Sequence, residues 1–156
     1  DQVAGIVKRM AASTGTTLAT KAGPEIFDAV RQVAPGARYH QLAGLIVVGD
    51  PQPVSAEGYI LVVTAGTGDI PVAEEAAVTA EVLGSRVERI YDVGVAGIHR
   101  LLDKREQLSR ANVAVVAAGM ATLEKTGTVV AVEKSADQPR VGVISVILVP
   151  MERMTL

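Results

Sequence analysis

The sequence contains no cysteine and no tryptophan, and its aromatic residues are one phenylalanine and three tyrosines among 156 residues. Without cysteine, these residues supply no disulfide, no thiolate zinc site and no cysteine nucleophile. Aromatic residues make up 3% and apolar residues 49%, so the core must consist of Val, Ile, Leu and Ala. This composition favours an α/β protein with a buried parallel sheet and alanine-rich flanking helices.

Strong charge and long apolar runs are also absent. The formal net charge is −2 and the charges alternate in sign, so no basic field would hold nucleic acid. No apolar run approaches the roughly 20 residues of a membrane span, and the first ten residues do not resemble a signal peptide. We therefore expect a soluble cytoplasmic protein that binds neither nucleic acid nor a membrane. The chain begins without a methionine, which predicts a fragment of something longer.

The chain divides into three predicted parts. Residues 1–50 contain two helical patterns and short strands and are interpreted as a βαβ-like segment. Two prolines within residues 50–53 cannot continue a strand ladder and mark a boundary. Residues 54–120 alternate apolar strands with helices and predict an α/β domain. Residues 121–156 hold two strand-like runs and predict a divergent tail with a β-hairpin.

The second part carries polar residues where two predicted strands end. The run Ile60–Val63 leads into the turn Thr64-Ala65-Gly66-Thr67-Gly68-Asp69, and a later strand leads into a glycine-containing turn before His99. In parallel sheets, ligands bind beyond the carboxyl ends of the strands. Asp69 and His99 are therefore the candidate catalytic residues.

Each of these two residues has two interpretations. Asp69 either holds a ligand hydroxyl or transfers protons, or it only satisfies backbone amides at a helix start. His99 is either a neutral imidazole, favoured by the helix dipole and able to act as an acid or base, or a surface histidine beside Arg100. The residues alone leave both pairs open.

Several other chemistries lack support. The glycine turn has neither P-loop nor dinucleotide-binding spacing, so neither a nucleoside triphosphatase nor a dehydrogenase is indicated. The only two histidines, His40 and His99, are far apart in sequence, so we expect no metal site. No cofactor is evident from the residues.

Three motifs resemble the LarB family, the carboxylase/hydrolase of nickel-pincer cofactor synthesis, which is similar to phosphoribosylaminoimidazole carboxylase (PurE). They are TAGTGDIPVAEEAAVTAE from residue 64, VERIYDVGVAGIHRLL from residue 87 and ANVAVVAAGM from residue 111. The resemblance covers about residues 1–120. It implies a flavodoxin-like, three-layer parallel sheet with flanking helices, here followed by an atypical strand-rich tail, and assembly into a homo-oligomer.

The resemblance also implies an activity and site residues. The family carboxylates the pyridinium ring of nicotinic acid adenine dinucleotide, using carbon dioxide or bicarbonate, and hydrolyses the phosphoanhydride to release AMP. By motif, Asp69 would hold the nucleotide substrate and His99 would shuttle protons. A phosphate would be cradled by Thr64, Ala65, Gly66 and Thr67, and the cleft would be lined by Gly119 and Met120. Magnesium is implied only by the family.

The chain departs from the family in two respects. It lacks the cysteine that attacks the pyridinium ring in the family, and its sequence after residue 120 shows no family pattern. Whether it is an enzyme therefore stays open among three hypotheses. In the first hypothesis, the chain is a LarB-type carboxylase/hydrolase. In the second, it is an aminoimidazole ribonucleotide carboxylase or mutase that needs only Asp69 and His99. In the third, it is an inactive partial copy that serves binding or oligomerisation.

Overall fold

A computed structural model describes residues 2–54, 57–94, 98–118, 128–134 and 141–147. The helices are Gln2–Thr14 (α1), Pro24–Val33 (α2), Ile70–Val82 (α3), Ile98–Asp103 (α4) and Arg105–Arg110 (α5). The strands are Thr17–Ala19 (β1), Arg38–His40 (β2), Leu45–Val48 (β3), Ile60–Thr64 (β4), Val87–Ile90 (β5), Val113–Ala117 (β6), Thr128–Lys134 (β7) and Val141–Ile147 (β8). Within the described ranges these strands form two sheets, in the orders β1-β3-β2 and β5-β4-β6-β7-β8.

The first sheet is small and antiparallel. Strands β1 and β2 both pair antiparallel with β3, so they run in the same direction and are connected through α2. The apolar run Leu45–Val48 is the third strand along the chain, because Arg38–His40 precedes it, and it lies between the other two strands in the sheet. The sequence conceals β2 because it is a three-residue edge strand of which no residue is buried.

Strand β3 is buried on both faces, which explains its unbroken apolar run. Ile46 and Val48 pack in one cluster with residues of α1 and α2. Leu45 and Val47 belong to a second cluster, together with Val78 and Val82 of α3. The small sheet therefore separates the two N-terminal helices from α3.

The second sheet confirms the predicted α/β class. Strand β4 lies between β5 and β6 and pairs parallel with both, which gives a three-stranded parallel sheet flanked by helices. On one side, Val62 clusters with Ala73 and Ala77 of α3. On the other side, Leu61 clusters with residues of α4 and α5. The sheet is thus covered on both faces, as the uniformly apolar strands require.

Helix α3 lies between the two sheets. Proline stands in its first turn, where the missing N–H is no loss. Its small residues Ala73 and Ala77 face β4, and its larger residues Val78 and Val82 face β3. Small side chains on the β4 side let the helix approach the parallel sheet closely.

Part of the predicted tail joins the parallel sheet. Strand β7 pairs antiparallel with β6, and β8 pairs antiparallel with β7. The predicted α/β domain and these tail strands therefore share one sheet. The other residues of the tail lie outside the described ranges, and the predicted domain boundaries stay predictions.

A leucine at position 77 should destabilise the protein. Ala77 is fully buried, so Ala77→Leu inserts a larger side chain between α3 and β4 and should lower the free energy of unfolding by about 1–3 kcal/mol. Urea denaturation followed by circular dichroism measures this change. The matched control is Ala12→Leu on the exposed face of α1, which should stay within about 0.5 kcal/mol. Equal midpoints for the two variants would contradict the tight packing of α3.

Candidate functional site

The carboxyl ends of β4, β5 and β6 meet at one edge of the parallel sheet. Thr64 stands beside Ala117 in the ladder between β4 and β6. The backbone contacts continue beyond the strands, since the N–H of Ala65 donates to the carbonyl of Ala117 at 3.1 Å. The N–H of Gly94 in turn donates to the carbonyl of Ala65 at 2.8 Å. The loops after β4 and β5 are therefore in direct contact.

Thr64 is fully buried, and its hydroxyl has an internal partner. Its Oγ1 accepts a hydrogen bond from the N–H of Asp92 at 3.0 Å. A buried hydroxyl that is hydrogen-bonded inside the protein fixes neighbouring backbone. The position of Thr64 thus favours a structural role in the turn, whereas Thr67 at the far end of the turn is exposed.

Asp69 closes the turn onto itself. It ends a 3-10 turn, Thr67–Asp69, that leads directly into α3. Its Oδ2 accepts a hydrogen bond from the N–H of Gly66 at 3.1 Å, and its own N–H donates to the carbonyl of Gly66 at 3.2 Å. The hydrogen bond from the N–H of Gly66 therefore supports the interpretation that Asp69 satisfies backbone amides. The same contact holds the exposed residues Thr67 and Gly68 in a defined loop.

Gly94 is required by the close approach of the two loops. A Cβ atom at this position would lie 2.5 Å from the carbonyl oxygen of Ala65, which is shorter than any allowed contact. Only glycine permits the N–H of residue 94 to reach that carbonyl. The glycine that sequence analysis treated as part of a turn thus serves to join β4 and β5 at the site.

His99 lies in the first turn of α4, and its side chain is exposed. Within the described part of the chain, no hydrogen bond or ion pair joins it to Asp69. The other histidine, His40, belongs to β2 in the small sheet. Gly119 and Met120 lie outside the described residues, so their predicted contribution to the cleft stays a prediction.

A cavity of about 330 Å³ opens beside these strand ends. Its walls are mostly apolar, and α4 and α5 cover one side of it. The lining residues are Val63, Thr64, Ala65, Val93, Gly94, Leu101, Leu108 and Val116. The role of Leu101 and Leu108 in lining a cavity could not be predicted from the sequence, because core packing and cavity lining give the same helical pattern.

A charged cluster fixes α3 to β5 near the same edge. Arg89 donates to Glu81 through two nitrogens at 2.6 and 2.9 Å and to Glu74 at 3.1 Å. The hydroxyl of Tyr91 donates to the same Glu74 oxygen at 2.6 Å. The hydrogen bond to Glu81 is the main cause that raises the pKa of Arg89. Burial is the main cause that raises the pKa of Tyr91, and the hydrogen bond to Glu74 raises it further. Glu74 therefore does more than complement the helix dipole.

An ion pair between Asp92 and Arg100, which was not predicted from the sequence, lies in the same region. Asp92 Oδ2 lies 2.8 Å from Arg100 Nη1, and the two side chains are 44% and 48% exposed. A usable signal was present, because Asp92 lies two residues after the end of β5 and aspartate tolerates the left-handed backbone conformation that tight turns require.

The described residues do not fit a protein-held magnesium ion. Among them, no three side chains of His, Cys, Asp or Glu are grouped so that they could hold a metal. The two carboxylates at the site, Asp69 and Asp92, are engaged with Gly66 and Arg100. None of the helices in the described ranges is both long and apolar enough to cross a membrane.

Comparison with known proteins gives two matches. Over 78 residues, the chain is 44% identical to the Uncharacterized protein MJ0165 of Methanocaldococcus jannaschii, a match that covers 49% of this chain and 30% of that protein. The match thus spans less than a third of the relative's length. Residues 1–50 match the family described as LarB/PurE-like N-terminal domain, which supports a PurE-related, carboxylase-type family. The predicted LarB/PurE-like resemblance is therefore confirmed for residues 1–50, and the three motifs from residues 64, 87 and 111 lie beyond that match.

Proposed function

We propose that the chain binds the phosphate of a nucleotide substrate at the carboxyl ends of β4 and β5, as part of a carboxylase-type enzyme. The observation that supports this most strongly is the turn before α3. Its exposed residues Thr67 and Gly68 belong to the 3-10 turn that leads into α3, and the Asp69 carboxylate holds this turn through the N–H of Gly66. The LarB/PurE-like match of the N-terminal part supports the reaction class.

In this proposal, the phosphate contacts the exposed half of the turn, at Thr67 and Gly68. The amides of Ala65 and Gly66 donate within the protein, and the hydroxyl of Thr64 is buried. The first amides of a helix lack intrahelical partners and carry the positive end of the helix dipole. Thr67 and Gly68, with the Thr67 hydroxyl, would therefore meet the phosphate. Asp69 would hold the turn in shape.

The substrate ring would occupy the apolar cavity next to this turn. Its walls include Val93, Leu101 and Leu108, which exclude water from the reacting atoms. In the carboxylation, the ring carbon bonds to the carbon of carbon dioxide, and the hydrogen on that ring carbon leaves as a proton. His99, two residues before Leu101, is the proposed acceptor of this proton.

The finer proposal is carboxylation of the pyridinium ring of nicotinic acid adenine dinucleotide, with release of AMP. It rests on the motif resemblance to the LarB family. A pyridinium carbon is electron-poor and needs a nucleophile to add before it can attack carbon dioxide. The 156 residues contain no cysteine for that addition, so in this proposal they supply the binding and proton-transfer part of the reaction.

The missing cysteine favours a second candidate. An aminoimidazole ring is electron-rich and attacks carbon dioxide without prior addition of a nucleophile. A carboxylase or mutase for aminoimidazole ribonucleotide would need only a phosphate site and a proton acceptor. Both candidates use the same turn, and they differ in the ring that enters the cavity.

Asp69→Ala should weaken nucleotide binding. The substitution removes the carboxylate that organises the turn, so the loss of a charged hydrogen bond should cost about 1–3 kcal/mol, or roughly 5- to 150-fold in Kd. Titration calorimetry with nicotinic acid adenine dinucleotide, AMP and aminoimidazole ribonucleotide measures this change and identifies the ring. Asp28→Ala on the exposed face of α2 is the matched control. No affinity of the unmodified chain for any of the three would overturn the proposal.

His99→Asn should reduce turnover without changing affinity. Loss of a proton acceptor at the reacting carbon lowers the rate by about 10²- to 10⁴-fold. Mass spectrometry of the carboxylated product measures the rate with each of the two substrates. His40→Asn, which alters the only other histidine, should leave the rate unchanged. Turnover that survives His99→Asn refutes its role, and binding without any turnover in the unmodified chain favours an inactive binding module.

A further inference from the structure

The loop after β5 contains a residue in an uncommon backbone conformation. Asp92 has a φ of 60°, in the left-handed region that few residues other than glycine adopt. Aspartate tolerates this region better than most side chains, yet such a residue persists only where its surroundings hold it. The function proposed above assigns no role to Asp92, so its conformation needs a separate explanation.

Three successive backbone amides dock this loop on the end of β4. The N–H of Asp92 donates to the Thr64 hydroxyl at 3.0 Å, and the N–H of Val93 donates to the Thr64 carbonyl at 3.1 Å. The N–H of Gly94 donates to the carbonyl of Ala65 at 2.8 Å. Because Thr64 is fully buried, the hydroxyl that holds Asp92 is shielded from competing water.

The side chain of Asp92 connects this fixed loop to α4. Its Oδ2 lies 2.8 Å from Nη1 of Arg100, the residue that follows His99. Helix α4 has only six residues, and so short a helix has little stability of its own. A contact near its start therefore has a large share in setting where that turn of helix lies.

We infer that Asp92 is a positioning residue that ties the start of α4, and with it His99, to the end of β4 through Thr64. The buried hydroxyl fixes the backbone of Asp92, and from that conformation the carboxylate reaches Arg100. We call this connection from Thr64 through Asp92 to Arg100 the tether. Its importance for catalysis rests on the proposed role of His99. The tether itself can be tested without turnover.

The test uses the full chain with Asp92→Asn, Arg100→Gln and the double variant. Asparagine also tolerates the left-handed region, so Asp92→Asn removes the charge and keeps the backbone. The chain has two histidines, and His40→Asn assigns the imidazole signals in an NMR spectrum. Each single variant should shift the His99 signal and speed amide exchange in α4 by about two- to five-fold. The double variant should add nothing further, because both changes break one contact.

A second pair of variants tests the hydroxyl of Thr64. Thr64→Val removes the acceptor for the N–H of Asp92 at nearly constant shape, whereas Thr64→Ser retains it. Thr64→Val should reproduce the shift of the His99 signal seen with Asp92→Asn, and Thr64→Ser should not. If the chain turns over, Asp92→Asn should lower kcat and leave KM unchanged.

Arg105→Gln, an exposed arginine on the neighbouring helix α5, is the matched control. The inference is overturned if Asp92→Asn and Arg100→Gln change the His99 signal and α4 exchange no more than Arg105→Gln does. That result would leave nucleotide binding at the Thr67 turn untouched. Conversely, a chain that shows the tether but binds none of the three nucleotides contradicts the proposed function alone.

Discussion

The burial of α3 between two sheets is the contact on which the other features depend. The helix packs Val78 and Val82 against the small antiparallel sheet and Ala73 and Ala77 against the parallel sheet. Because alanine side chains keep the helix close to β4, the helix start is held directly beyond that strand's carboxyl end. The glycine turn is therefore placed by packing along the whole helix. The N-terminal segment contributes to the site indirectly, by covering the second face of α3.

The charged cluster around Arg89 also holds α3 against the parallel sheet, because it attaches the helix to the outermost strand, β5. Strand β5 is an edge strand, and its attachment to α3 includes the contacts of Arg89 and Tyr91 with glutamates of that helix. Partly exposed ion pairs contribute little individually, but a bidentate contact within a network fixes geometry. The end of β5, where the next loop begins, is therefore held in a fixed position. The loop needs this fixed position so that its three amides can reach Thr64 and Ala65.

Features that depend on local pattern could be predicted from the sequence, and features that depend on distant partners could not. Strands β4 and β6 were within reach of the sequence because their apolar runs are uniform. Strand β2 was missed because an exposed three-residue edge strand carries no apolar pattern. The burial of Thr64 was missed because its partner, Asp92, is 28 residues away in the chain. The pairing of Asp69 with Gly66 is local, and it was one of the two interpretations the sequence allowed.

The two halves of the candidate site differ in how firmly they are held. On the β4 side, the described hydrogen bonds commit the amides of residues 65, 66, 92, 93 and 94 to partners within the protein. A ligand cannot use those amides without breaking internal contacts, which is why the proposed phosphate contact lies at Thr67 and Gly68. On the α4 side, the tether identified for His99 is one half-exposed ion pair. In the proposed function, substrate binding and proton transfer would therefore depend on different contacts, so substitutions could change one without the other.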